Sequence, residues 1–254
     1  MPSGSFIRLA SLGCALFLPV ATGRASVKVT HNPAEVEHKT FDPKNPPTDL
    51  VGLNHEAAVT VSEFDLKIGL GVQPGEKRPL RNGKCQESLT IASVTLTLGL
   101  KVTVWLPDNA NEKLKAHEEG HLLMTEKVYA ERADKAARAA GALIDGRRFT
   151  AEAENCDDVD KAVEQTIGEA NQKVYHGYLS KTADVSARAG EIYDDITRHG
   201  ARADIDEKTA AAQAFDRQAL EEKQSANPPT THPAGATTKP AARPVEQSPL
   251  QISK

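Results

Sequence analysis

Apolar and polar residues alternate most regularly between 94 and 106. Val94, Leu96, Leu98, Leu100, Val102, Val104 and Leu106 hold one parity, and Thr95, Thr97, Gly99, Lys101, Thr103 and Trp105 the other. A period of two sends alternate side chains to opposite faces of a sheet, so this run predicts a strand with one face on the core. Gly99 within it predicts a bend, a bulge or a hairpin tip. Upstream, Val59 and Val61 fall on one parity and Phe64, Leu66, Ile68, Leu70 and Val72 on the other, which predicts a strand over 57–72 with a bulge near Ser62 or Glu63. Between the two runs, Pro74, Gly75, Pro79, Asn82 and Gly83 predict a loop. Residues 26–54 are polar, with Pro33, Pro43, Pro46 and Pro47, and predict an extended surface segment with one or two short strands.

The period changes after Pro107. Asn109 with Glu112 three residues later has the pattern of a capping box, and a helix over 110–140 would align Leu114, His117, His121, Met124 and Val128 on one face. Gly141 and Gly146 interrupt it. Val159, Val163, Ile167, Ala170, Val174 and Tyr178 recur at helical spacing and predict a second helix over 157–189 that Gly190 closes. A third helix is expected over 203–223. From residue 225 the chain is dominated by Pro, Thr, Ala and Gln with almost no large apolar side chain, too little to offset the entropy of ordering, so a disordered tail is expected.

Composition sharpens this outline at the N-terminus. Arg8, an apolar stretch over 9–21 and small residues around Ala25 predict a secretory signal over 1–25. Its apolar run is too short for a lasting membrane span, and no later segment qualifies. Cys14 has a poor surrounding pattern for lipid attachment. The organisation expected is therefore a signal peptide (1–25), a polar extended segment (26–56), one domain (57–223) and a Pro-rich tail (224–254). Export leaves Cys85 and Cys156 as an even pair in a compartment where disulfides persist, and we expect them to be bonded. The formal charge is −4 with no basic stripe, which argues against a nucleic-acid partner. A secreted or periplasmic bacterial location follows.

The candidate chemistry lies on the first predicted helix. His117, Glu118, Glu119, Gly120 and His121 form H-E-x-x-H. Positions four apart on a helix are one turn apart on the same face, so two imidazoles can reach one ion. Glu118, rotated by about 100°, can then serve as general base towards a water at that ion. A catalytic zinc site needs a third protein ligand and keeps the fourth position open. His176, His199, Glu164 and Glu169 are the candidates. His199 is favoured, because it follows a helix break in Tyr193-Asp194-Asp195-Ile196-Thr197-Arg198-His199-Gly200. There Asp195 would orient an imidazole, and Tyr193 would donate to a developing oxyanion.

The chain resembles a family of secreted bacterial zinc-dependent proteases known mainly as a domain of unknown function. The likeness covers residues 57–200. It rests on Cys85, on Leu106-Pro107 ending a β segment, on His117, Glu118, Gly120 and His121, and on Tyr193, Asp194, Thr197, His199 and Gly200. Asp108 departs from the family's pattern, which more often has an aromatic residue there. The resemblance implies an α+β, zincin-like peptidase: an N-terminal antiparallel sheet packed on a C-terminal set of long helices that carry one zinc ion per chain. It supports His199 as third ligand, with a peptide or protein as substrate. By analogy of fold, the strand over 94–106 would line the cleft and pair with an extended substrate. The alternatives are a non-catalytic zinc-binding or structural envelope protein, and a chain whose functional part is the Pro-rich tail.

Overall fold

The computed structural model describes residues 27–50, 57–202 and 204–226. The expected signal peptide, with Cys14, and the tail from residue 227 onward lie outside them. The sheet is built around β4 (Cys85–Pro107), a strand of 23 residues. Along one of its edges runs β3 (Val59–Pro79), antiparallel, from Val59 opposite Trp105 to Pro79 opposite Cys85. A strand has only two edges, so three short strands share the other in succession. β5 (Arg148–Ala153) lies antiparallel beside 85–90, β1 (Val27–His31) parallel beside 94–98, and β2 (Glu35–Phe41) parallel beside 101–107.

This corrects the expected fold class. The sheet is mixed rather than antiparallel, because β1 and β2 both run parallel to β4. It is not confined to the N-terminal half either, since β5 joins it after the first helix. Alternation reports which face of a strand is buried and leaves direction and partner open. β1 and β2 follow one line, with residues 32–34 passing Gly99 and Leu100 and Pro33 in the gap, where the ladder is interrupted and its missing N–H costs nothing. β4 continues through Gly99 in unbroken register.

The predicted bulge at Ser62 or Glu63 is absent from the described strand, and the register shifts lie instead at Gly71/Val72 and Pro74/Lys77. The predicted loop contracts to a few residues after Pro79, because β3 pairs only with β4 and an edge strand tolerates proline.

Four helices cover this framework: α1 (Glu112–Gly141), α2 (Val159–Leu179), α3 (Ala183–Thr197) and α4 (Glu207–Ala226). The N-cap of α1 is Asn111, whose side chain accepts from Leu114 N at 2.8 Å, two residues later than the Asn109 reading. The single helix expected over 157–189 is two, and α3 is only 15 residues long, so a set of uniformly long helices is also corrected. The break falls at 180–182, where Thr182 is buried and its hydroxyl donates to Tyr178 O at 2.9 Å. Nothing in Ser-Lys-Thr resembles a glycine or proline stop.

Val94, Leu96, Leu98, Val102 and Val104 of β4 are fully buried against Val128, Ala133 and Ala137 of α1 and Val174 and Tyr178 of α2. Each such aliphatic side chain contributes about 1.5–3 kcal/mol. A smaller cluster of Met124, Ile192, Tyr193, Ala210 and Ala214 joins α1, α3 and α4 below the candidate site. The expected disulfide is present: Cys85 at the start of β4 is bonded to Cys156 just ahead of α2. Among the described residues no helix is long and apolar enough to cross a membrane.

Candidate metal centre

The His-Glu-x-Gly-His sequence lies in the second turn of α1, with His117, Glu118 and Gly120 buried. The two imidazoles have ring centroids 4.9 Å apart and meet edge to face. α3 packs across them. A Cβ added at its Gly190 would stand 3.5 Å from His121 Nδ1, and one on Gly120 would lie 2.0 Å from the Tyr193 hydroxyl oxygen. Glycine at 120 is therefore a packing requirement: the Tyr193 ring fills the space its side chain would take. That ring stacks on His117 at 5.0 Å with planes 15° apart.

One residue further along α3, Asp194 turns its carboxylate between the two imidazoles. Oδ1 lies 3.2 Å from His117 Nε2 and 3.1 Å from His121 Nε2. Among the described residues, His117, His121 and Asp194 form a group that could hold a metal ion, with one ligand atom from each within 4.8 Å of the others. Two imidazole nitrogens and a carboxylate oxygen are a zinc donor set. Bonds of about 2.0–2.1 Å in tetrahedral geometry separate neighbouring ligand atoms by roughly 3.3 Å, and the two separations to Oδ1 fit that spacing.

The charges agree with this arrangement. Burial opposes ionisation of Asp194, yet the two imidazoles outweigh it and hold the carboxyl well below the usual range. Burial likewise opposes charge on His117, but Asp194, Glu118 and Glu207 together keep its pKa above the ordinary histidine value.

Glu118 lines the same cleft, of about 340 Å³, with Ala57, Val59, Thr60 and His199 around it. Its Oε2 accepts from the Thr60 hydroxyl at 2.8 Å. The strand beside the site is thus the start of β3. β4, expected to line the cleft and pair with substrate, is occupied on both edges.

No family model, curated protein or solved structure matches this chain. The likeness to secreted zinc proteases therefore rests on the motifs alone.

The downstream motif is partly redistributed by the structure. His199 lies at the cleft mouth with its side chain 78% exposed and Nδ1 3.8 Å from Asp194 Oδ1, outside the three-residue group. α3 ends at Arg198, and Arg198, His199 and Gly200 all have positive φ (51°, 52° and 73°). Such a left-handed run is costly for the two non-glycine residues, and strain of this kind clusters at functional sites. Gly200 packs on His117, where a Cβ would stand 3.2 Å from Cγ. Thr197 is buried, and its hydroxyl donates to Tyr193 O at 2.8 Å and accepts from Gly200 N at 3.3 Å, which fastens the turn.

Tyr193, expected as an oxyanion donor, is fully buried with its hydroxyl turned to Glu207 and to His117 O, away from the cleft. Burial, reinforced by Glu207, pushes its pKa far up. Asp195 is exposed, and the carboxylate that meets the imidazoles is that of its neighbour Asp194. Glu164, Glu169 and His176 are exposed on α2. Asp194 as a candidate ligand, Thr60 and Glu207 are not among the residues that the sequence motifs point to. For Asp194 the signal was available: with Gly190 and Thr197 it follows a helical repeat on one face of α3.

Proposed function

We propose that this protein is a secreted or periplasmic zinc-dependent peptidase. The observation that carries the reading is the convergence of His117, His121 and Asp194 with a carboxylate, Glu118, beside them in one open cleft. His117, His121 and Asp194 would hold the ion, and His199, at the mouth, would face the substrate. Such an ion supplies Lewis acidity and a water whose pKa falls to about 7.

The protein's own groups divide the remaining work. Glu118 takes the proton of the attacking water and delivers it to the leaving amine, so no covalent intermediate with the chain is needed. The Thr60 hydroxyl, donating to Oε2, would orient the Glu118 carboxylate in the cleft. His199, exposed beside Asp194, would donate a hydrogen bond to oxygen charge developing on the substrate carbonyl, the part that Tyr193 is too enclosed to play. The Cys85–Cys156 bond is in keeping with an oxidising compartment.

The reading is tested by metal analysis and a peptide-library digest of the mature protein beside Glu118→Gln. We expect about one zinc per chain in both, with cleavage in the wild type and a loss of about 10²–10⁴-fold in the variant. A protein that binds zinc yet cleaves nothing in either form would leave a binding or structural role in the envelope.

A further inference from the structure

We propose that Glu207, on α4 and outside both motifs, is the positioning residue that fixes how His117 presents itself to the ion; this rests on the metal reading above. His117 Nδ1 is buried and has no hydrogen-bond partner among the described residues. A buried ring nitrogen in that state is costly, and the ring can offer a lone pair through Nε2 only if its other nitrogen carries the proton.

The surroundings of Nδ1 leave few groups to receive that proton. Gly200 closes one side, where a Cβ would stand 3.4 Å from Nδ1, and the Tyr193 ring covers a face of the imidazole. A carboxylate oxygen, Glu207 Oε2, lies 4.0 Å away. Glu207 is itself largely enclosed, its side chain 15% exposed, and its Oε2 accepts from the Tyr193 hydroxyl at 2.5 Å. The carboxylate is therefore held facing Nδ1 by the same tyrosine that packs on the ring. A shift of about 1 Å would convert the 4.0 Å approach into an Nδ1–H to Oε2 hydrogen bond, and such contacts at metal-binding histidines set tautomer and ring orientation.

The position also accounts for α4. Asp206 accepts from Thr209 N at 3.0 Å at the start of the helix, so the first turn is fixed and Glu207 is delivered to the back of the site. Ala210, Ala211 and Ala214 then seat the helix against Ile192 and Tyr193.

The test compares zinc dissociation constants, by chelator competition, of the wild type, Glu207→Gln and His121→Ala. It is paired with ¹⁵N-histidine NMR of zinc-loaded wild type and Glu207→Gln. We expect His121→Ala to lose tight binding, Glu207→Gln to bind about 10–100-fold more weakly with its fold retained, and the His117 Nδ1–H signal to be present in the wild type and lost or exchange-broadened in Glu207→Gln. A merely structural role for Glu207 would leave that proton unmoved. Zinc binding at wild-type strength in Glu207→Gln while His121→Ala fails overturns the role of Glu207 alone. An Nδ1 found unprotonated in the zinc-loaded wild type overturns it on the native protein, without a variant. Failure of the wild type to bind zinc removes the metal reading and this inference together.

Discussion

The choice of third ligand lies between two side chains only a few ångströms apart, Asp194 and His199. Asp194 touches both imidazoles, whereas His199 approaches only Asp194 and stands mostly in solvent. Replacing Asp194 by Ala should reduce bound zinc to well below one per chain, and His199→Ala should keep the metal while slowing hydrolysis, as elemental analysis beside a cleavage assay would show. The reverse pattern would restore His199 as ligand. The same side chains set a pH dependence in the metal-free protein. His117 has a raised pKa, so its contribution is full below the unfolded value of 6.5 and is lost as pH rises through the folded value. Asp194 has a lowered one, so its contribution is present above 3.8 and is lost as pH falls. Wild type should therefore exceed Asp194→Asn in metal-free thermal stability most clearly between about pH 4 and 6.5. Added zinc should stabilise more as pH climbs past that window, because bound ligands must be deprotonated.

Among the elements, α1 and α3 carry the site by fitting backbone to ring. Gly120 shows how closely: glycine to alanine in a helix interior ordinarily stabilises by about 1 kcal/mol, but here the new methyl would drive into the Tyr193 hydroxyl. Gly120→Ala should instead destabilise by about 1–3 kcal/mol in denaturant melts and loosen metal binding with it. The H-E-x-x-H helix was readable in advance because its chemistry needs one spacing on one helix. The long strands were readable because each buries one face, as Phe64 and Leu66 do on β3 and Leu96 and Leu98 on β4. Strand direction was not, since residues 27–41 carry no sign of running parallel to β4. The turn between α2 and α3 escaped because Thr182 makes it with a side-chain bond that composition does not reveal. Residue type favours His199, five positions beyond Asp194, whereas it is the aspartate that lies on α3 beside both imidazoles. Glu207 had no local signal at all: its part depends on α4 folding back over α1, a contact between distant segments.

In the whole molecule, one covalent link spans the sheet and the helices. Cys85 and Cys156 are 71 residues apart, and closing a loop of that length contributes about 4 kcal/mol in the chain-entropy model. Reduction under native buffer conditions should lower Tm by roughly 10 °C, measured by calorimetry with and without reductant. An unchanged Tm would mean that strand pairing between β4 and β5 already does the bond's work.

The enclosed stretch has a further significance. It contains the central strand, all of α1 and β5, so His117, His121 and Glu118 sit inside a covalent ring of the chain. The peptidase proposed above, working among other peptidases or among copies of itself, would be exposed to nicking. One cut anywhere from 86 to 155 opens that ring without releasing a fragment, and the two imidazoles stay tethered to the carboxylate that meets them.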